Sequence, residues 1–181
     1  MARLIMWDLM TLDGFVEGPG RDITWHNDVC GEELERLSLR QLHGAGGLLF
    51  GRVTYELMAG YWPTASGEIA DFMNSAPKYV FSRSLKSAEW QNTQLFGEDV
   101  AANVGRLKRE HAKDIFLFGS ADLAASLIPD GLIDEFRIAL NPLILGGGTP
   151  LFKPGHRQRL KLIDSRPLSN GVVIVNYVPQ F

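Results

Sequence analysis

Three places along the chain end an apolar run on a glycine or a hydroxyl, and each could hold an anion. Leu48, Leu49 and Phe50 give way to Gly51, Arg52, Val53 and Thr54. If the first three close a strand and the next open a helix, free backbone N–H groups and the positive end of the helix dipole face the space beyond. Arg52 adds a planar cation that can grip a phosphate with two hydrogen bonds, and Thr54 adds a hydroxyl. The run Ile115 to Phe118, followed by Gly119, Ser120, Ala121 and Leu123, repeats the arrangement. A third run, Tyr79 to Phe81, ends in Ser82 and Arg83. That pair suits an isolated phosphate monoester, such as the one that separates NADP from NAD. A glycine that permits a tight turn explains any one of these. Three of them, on strand ends that a parallel sheet brings to one crevice, argue for a nucleotide. The chain has no G-x-G-x-x-G with a ribose-binding acid, which disfavours an ordinary dinucleotide fold.

Asp8 is the carboxylate that stands out. Alternation along 3–10 places Leu4, Met6, Asp8 and Met10 on one face of a strand, and Ile5, Trp7 and Leu9 on the other. A carboxylate among such residues needs partners or a raised pKa. It is either a structural acid bonded to backbone or a proton-handling group. Asp13, before Gly14, reads as a cap for the loop or the turn that follows. Tyr61 and Trp62, ahead of Pro63, could stack on a planar substrate or simply pack. Gly146, Gly147 and Gly148 could form a phosphate nest, or let two backbone segments pass closely. Cys30 reads as a nucleophile or, since no base is placed beside it, a small buried hydrophobe, and His26 as a residue at the pocket mouth or a solvated loop residue. The run Lys108 to Lys113 reads as a solvated helix face.

The elements that must position these groups alternate in type. Strands are predicted over 3–10, 47–50, 78–82, 114–118, 133–140, 160–165 and 172–178, and helices over 32–42, 53–59, 67–74, 100–111 and 121–128, with Asp28 as a candidate cap for the first. Short, continuously apolar strands between helices argue an α/β fold with a mostly parallel sheet covered on both faces, three layers in all. The last two strands read as an antiparallel hairpin joined through 167–171. A single domain over residues 1–181 is expected, because no linker, repeat or low-complexity stretch interrupts the sequence.

Composition narrows the function further. Eighteen basic and 21 acidic side chains give a net charge of −3, so no positive field draws nucleic acid or anionic lipid. One cysteine and four scattered histidines point away from a disulfide framework and from a metal site. With no long apolar run and an acid as early as Asp8, neither a membrane span nor a secretory leader is expected, and the cytoplasm is the default location.

The motifs also fall in an order that resembles the dihydrofolate-reductase-like superfamily. They are Thr11-Leu12-Asp13-Gly14, Phe50-Gly51-Arg52-Val53-Thr54-Tyr55-Glu56, Val80-Phe81-Ser82-Arg83, Phe118-Gly119-Ser120, Gly131 to Glu135, and Asn141 to Phe152 with its three glycines. The set is most similar to the reductase domain of the riboflavin-biosynthesis deaminase-reductase and its stand-alone relatives, over nearly the whole chain. The resemblance implies a central sheet of about eight strands and NADPH as hydride donor. It implies that Gly51, Arg52 and Thr54 hold adenine-side phosphates, that Ser82 and Arg83 meet the 2′-phosphate, and that Gly119, Ser120, Ala121 and Leu123 lie under the pyrophosphate. The Gly119–Ser120 turn matches one often joined by a cis peptide in that superfamily. Trp25, Tyr61 and Trp62 would border the substrate, and the loop 16–20 would approach the nicotinamide. For the first-helix carboxylate of dihydrofolate reductase, counting from Trp25 reaches Cys30 and counting back from Gly51 reaches Glu35, so the proton source is Asp8, Glu35 or water. Supporting threonine and aromatic positions fall at Ala139 and Ala124, which points away from folate itself. The implied activity is reduction of a pyrimidine- or pterin-like heterocycle, of the 5-amino-6-(5-phosphoribosylamino)uracil type, by a homodimer paired through 133–140 and 172–178. The alternative is a module that binds NADP(H) without turnover.

Overall fold

The computed structural model describes residues 1–180, ordered around an eight-stranded sheet. In chain order the elements are β1 (Leu4–Thr11), β2 (Phe15–Glu17), α1 (His26–Val29), α2 (Glu32–His43), β3 (Ala45–Gly51), α3 (Arg52–Tyr61), α4 (Glu68–Ser75), β4 (Lys78–Phe81), β5 (Thr93–Phe96), α5 (Val100–Glu110), β6 (Asp114–Phe118), α6 (Ala121–Leu127), β7 (Glu135–Asn141), β8 (Thr149–Pro150), β9 (Arg159–Pro167) and β10 (Val173–Gln180). The sheet runs β5-β4-β3-β6-β1-β7-β10-β9, and β2 pairs with β8 in a separate two-stranded ribbon. All pairings from β5 to β7 are parallel, while β10 lies antiparallel between β7 and β9.

Strand alternation sends successive residues into two cores, which makes the three layers. Ile5, Trp7, Leu48, Phe50, Val80 and Phe116 pack with Leu34 and Leu42 of α2, Tyr55 of α3 and Met73 of α4. Leu4, Met6, Leu49, Phe81, Leu117 and Ile138 pack on the opposite face with Val104 and Leu107 of α5 and with Leu123, Ala124 and Leu127 of α6. The two faces expected for β1 are those observed. Because β1, β3, β4 and β6 are parallel, they end on one side of the sheet, and α3 and α6 begin there.

Several details differ from the sequence reading. β5 was not expected: it is four residues long, lies at the sheet edge and buries only Phe96, too little pattern to show. Asp28 does not cap α2. It lies inside the short α1, and the extended Gly31 precedes α2 with no side-chain cap. The pairing surface expected over 133–140 is mostly interior, because β7 sits between β1 and β10 with Phe136, Ile138 and Ala139 buried. Exposed apolar side chains occur instead on the edge strand β9, at Leu162 (49% exposed) and Ile163 (50%). Lys78, within the apolar β4, is fully buried under the Trp90 ring. Its Nζ donates to the Ala76 carbonyl at 2.7 Å, and burial lowers its pKa to about 8. Among the described residues, no helix is long and apolar enough to cross a membrane.

Candidate active site

A cleft of about 970 Å³ opens where β1, β3, β4 and β6 end. Its size lies at the upper end for small-molecule and cofactor sites. Its wall includes Asp8, Gly51, Arg52, Thr54, Tyr61, Trp62, Ser82, Arg83, Gly119, Ser120, Ala121 and Leu123, so most of the candidate residues share one space. Two do not. Trp25 is only 5% exposed, packs in the core and is not part of the wall, whereas its neighbour His26 is. Glu35 is exposed on α2, away from the cleft, because α2 turns Leu34 rather than Glu35 toward the sheet.

The link between β3 and β6 is a hydroxyl. Ser120 Oγ accepts the Gly51 N–H at 2.8 Å and lies 2.9 Å from Thr54 Oγ1, with the Phe118 carbonyl at 3.1 Å as the other acceptor for its proton. Gly51 is therefore already bonded and offers no amide. The free donors are the following amides of α3, whose N-terminus has no side-chain cap. Gly119 (φ +52°) and Ser120 (φ +61°) are both left-handed, and all peptides among the described residues are trans, so the turn is made by φ rather than by a cis bond. A Cβ on Gly119 would come within 2.9 Å of Thr54 Oγ1, which explains why glycine is needed there.

Asp8 holds this turn from below. Its Oδ1 accepts the Gly119 N–H at 2.7 Å, while Oδ2 is buried with no partner among the described residues. Burial pushes the carboxyl well above the ordinary range, against the pull of the Gly119 amide. Asp8 thus carries a proton into the pH range where free carboxylic acids have lost theirs.

The charged groups of the wall differ in how far they are engaged. Arg52 pairs with Glu56 at 2.8 Å across one helical turn, with both side chains well exposed, a weak tie that an arriving phosphate can displace. Lys153 meets Asp122 at 3.2 Å. Arg83 is exposed and has no hydrogen-bond or ion-pair partner among the described residues. Ser82 Oγ accepts the amides of Ser84 and Leu85, which fixes the loop and leaves its proton to donate.

The sequence reading brought the loop 16–20 to the site but did not extend the wall along 21–27. Val16, Glu17, Arg21, Ile23, Thr24, His26 and Asn27 all border the cleft. His26 is not a solvated loop residue. It begins α1 with Trp25 edge-on at 4.3 Å, its Nε2 is buried without a partner, and burial lowers its pKa against the Val16 carbonyl. Cys30 is exposed rather than buried, since it ends α1 where the chain turns extended. Of the two readings of 146–148, close passage is the one observed: a Cβ on Gly148 would sit 2.0 Å from the Glu17 carbonyl oxygen. Asp13 acts as a cap across the chain, accepting the Thr11 hydroxyl (2.6 Å) and the amides of Gly146 (2.8 Å) and Leu145 (3.2 Å).

A mixed eight-stranded sheet with helices on both faces and a cleft at its parallel strand ends is the dihydrofolate-reductase-like architecture. Dihydrofolate reductase from Enterococcus faecalis, solved with NADP(H), shares it at TM-score 0.68 and 14% identity, with 99% of this chain and 97% of that one aligned. A putative riboflavin biosynthesis protein from Shewanella sp. PV-4 is nearer, at TM-score 0.82 and 19% identity over the full length of both chains. Within that architecture the chain belongs to the RibD C-terminal domain family, which it matches over residues 2–174, a riboflavin-pathway type of reductase. The uncharacterized protein YyaP of Bacillus subtilis is 35% identical over 97% of this chain and 94% of its own.

Proposed function

We propose that the protein is an NADPH-dependent reductase of a small planar heterocycle, pyrimidine- or pterin-like, acting on a C=N or C=O group. The observation that carries this is the convergence, on one cleft, of anion-holding groups and a buried carboxyl bound to the Gly119 turn. The residues present fit the cofactor. The amides after Gly51, the Arg52 guanidinium and the Thr54 hydroxyl suit phosphates, Ser82 and the unengaged Arg83 suit a phosphate monoester, and the Gly119 to Leu123 stretch suits a pyrophosphate. When bound, NADPH supplies a hydride to a conjugated carbon. The chain orients both reactants, and Asp8 holds a proton for the substrate heteroatom. Exposed Leu162 and Ile163 on the edge strand β9 support a two-fold dimer joined there.

Cofactor choice tests the reading. NADPH should bind at least about tenfold more tightly than NADH, or about 1.4 kcal/mol. Arg83→Ala should remove most of that preference while the melting curve stays parental. Superimposable NADPH and NADH titrations of the parent protein would overturn the assignment of Ser82 and Arg83. Tight NADPH binding without turnover of any flat heterocycle would leave a nucleotide-binding module instead.

A further inference from the structure

The stretch from Gly119 to Leu123, which suits a pyrophosphate, is short of positive charge. The Gly119 N–H is taken by Asp8 Oδ1. Ser120 Oγ accepts the Gly51 N–H, and its own proton has Thr54 Oγ1 and the Phe118 carbonyl as acceptors. Ala121 and Leu123 are apolar and buried. Asp122 is worse than neutral: its carboxylate stands on the cleft wall, 93% exposed, and repels a phosphate placed beside it. A pyrophosphate, charged on both phosphoryl groups, therefore needs a cation brought from another element. The arginines and lysines of the wall are Arg21, Arg52, Arg83 and Lys153. Of these, Lys153 is the one ion-paired to α6, with its Nζ 3.2 Å from Asp122 Oδ1.

The chain around Lys153 is anchored. Leu151 is buried, and its N–H donates to the Gly14 carbonyl at 3.0 Å, which ties this segment to the loop after β1. Lys153 borders the cleft on one side and, on the other, a hollow of about 430 Å³ whose lining includes Ile128, Pro129, Phe136 and Leu160. Its methylenes have apolar surface to lie along while the ammonium stays at the cleft, and only 30% of the side chain is exposed. An ammonium has three donors, and the pair with Asp122 uses one of them. We propose that Lys153 holds the pyrophosphate of the cofactor, keeping one donor on Asp122 and turning the others to phosphate oxygens. Asp122 then orients the ammonium instead of opposing the ligand. The inference rests on the reductase reading, which puts a dinucleotide in this cleft. It adds the residue that grips the part NADPH and NADH share, where Arg83 meets the part they do not.

The test titrates the whole protein by calorimetry with NADPH, NADH and adenosine 2′-monophosphate, which carries the monoester and no pyrophosphate. Lys153→Ala should weaken NADPH and NADH alike, each by at least about tenfold, the worth of one charge-assisted hydrogen bond. The ratio between them, and the affinity for adenosine 2′-monophosphate, should stay parental. Lys153→Arg keeps the cation and should lose far less. Asp122→Asn added to Lys153→Ala should win back part of the loss, because the carboxylate left behind would otherwise face the phosphates. Melting curves should stay parental, since so exposed a pair contributes little to stability. Parental affinity of Lys153→Ala for both dinucleotides overturns the inference. So does a loss confined to NADPH, which would put the ammonium on the 2′-phosphate, and so does an equal loss for adenosine 2′-monophosphate. Failure of the parent protein to bind either dinucleotide removes the reductase reading and this inference with it, whereas binding that Lys153→Ala leaves untouched removes this inference alone.

Discussion

Replacing Asp8 with asparagine separates proton supply from structure. Asparagine keeps an oxygen where Oδ1 accepts the Gly119 N–H at 2.7 Å, and it nearly keeps the volume of a side chain only 6% exposed. What it loses is the acid. Removing a positioned general acid costs about a hundredfold or more, so kcat should fall by at least that factor while NADPH affinity barely moves. The same residue sets a pH signature in stability. Burial raises the folded pKa above the unfolded value, so between the two the native protein holds a proton that the unfolded chain has released. Stability is then fully present below the ordinary carboxylate range and falls as pH rises toward the folded pKa, by about 1.4 kcal/mol for each pH unit between the two values. The variant has no such group and should show a flatter curve, overtaking the parent toward neutral pH. Single-turnover NADPH oxidation across pH and melting temperature across pH are the two assays. A folded Asp8→Asn variant with parental turnover would assign the proton to water, and parallel melting curves would refute the buried, protonated carboxyl.

Two further outcomes follow from the fold. Gly148→Ala combines a left-handed φ of +134° with a contact 2.0 Å from a backbone oxygen, and should destabilise by more than about 3 kcal/mol in urea titration, with a change under about 0.5 kcal/mol counting against the close passage. Light scattering should give a dimer, and Leu162→Glu on β9 should convert it to monomer without lowering NADPH affinity. A parent of about 20 kDa at every concentration would remove the interface.

The parts of the fold that could be read from the sequence were those with strong local patterns. β1, β3, β4 and β6 are mostly apolar and run into a polar residue or glycine, so their type and shared direction showed. The part of the cleft at the β3 and β6 ends was legible for the same reason, because a strand end, a glycine and a helix start sit within a few residues of one another. The wall after β2 was not. His26 borders the cleft through the path of the loop after β2, which no periodicity encodes, and Trp25, the more conspicuous residue, turns into the core instead. Glu35 was reached by counting from Gly51, and counting along the chain says nothing about which side of α2 faces the sheet. Ser120 was read as a ligand contact, and it does line the cleft, but its oxygen also accepts the Gly51 N–H across 69 residues, a bond visible only once β3 and β6 are neighbours.

The ribbon of β2 and β8 joins two stretches far apart in sequence at several points. Asp13 takes the amides of Leu145 and Gly146, Glu17 takes the Thr149 hydroxyl, Leu151 N–H donates to the Gly14 carbonyl, and Gly148 lies against Glu17 with no room for a side chain. Glu17 and Thr149 both border the cleft. The two loops are therefore one mechanical body. A displacement of the first that widens or narrows the entrance carries the second with it, and the compliance lies where the ribbon meets the sheet, not between its halves. Insertions that lengthen either loop alone would break the shared bonds, so a change in the size of the opening requires both loops to change together.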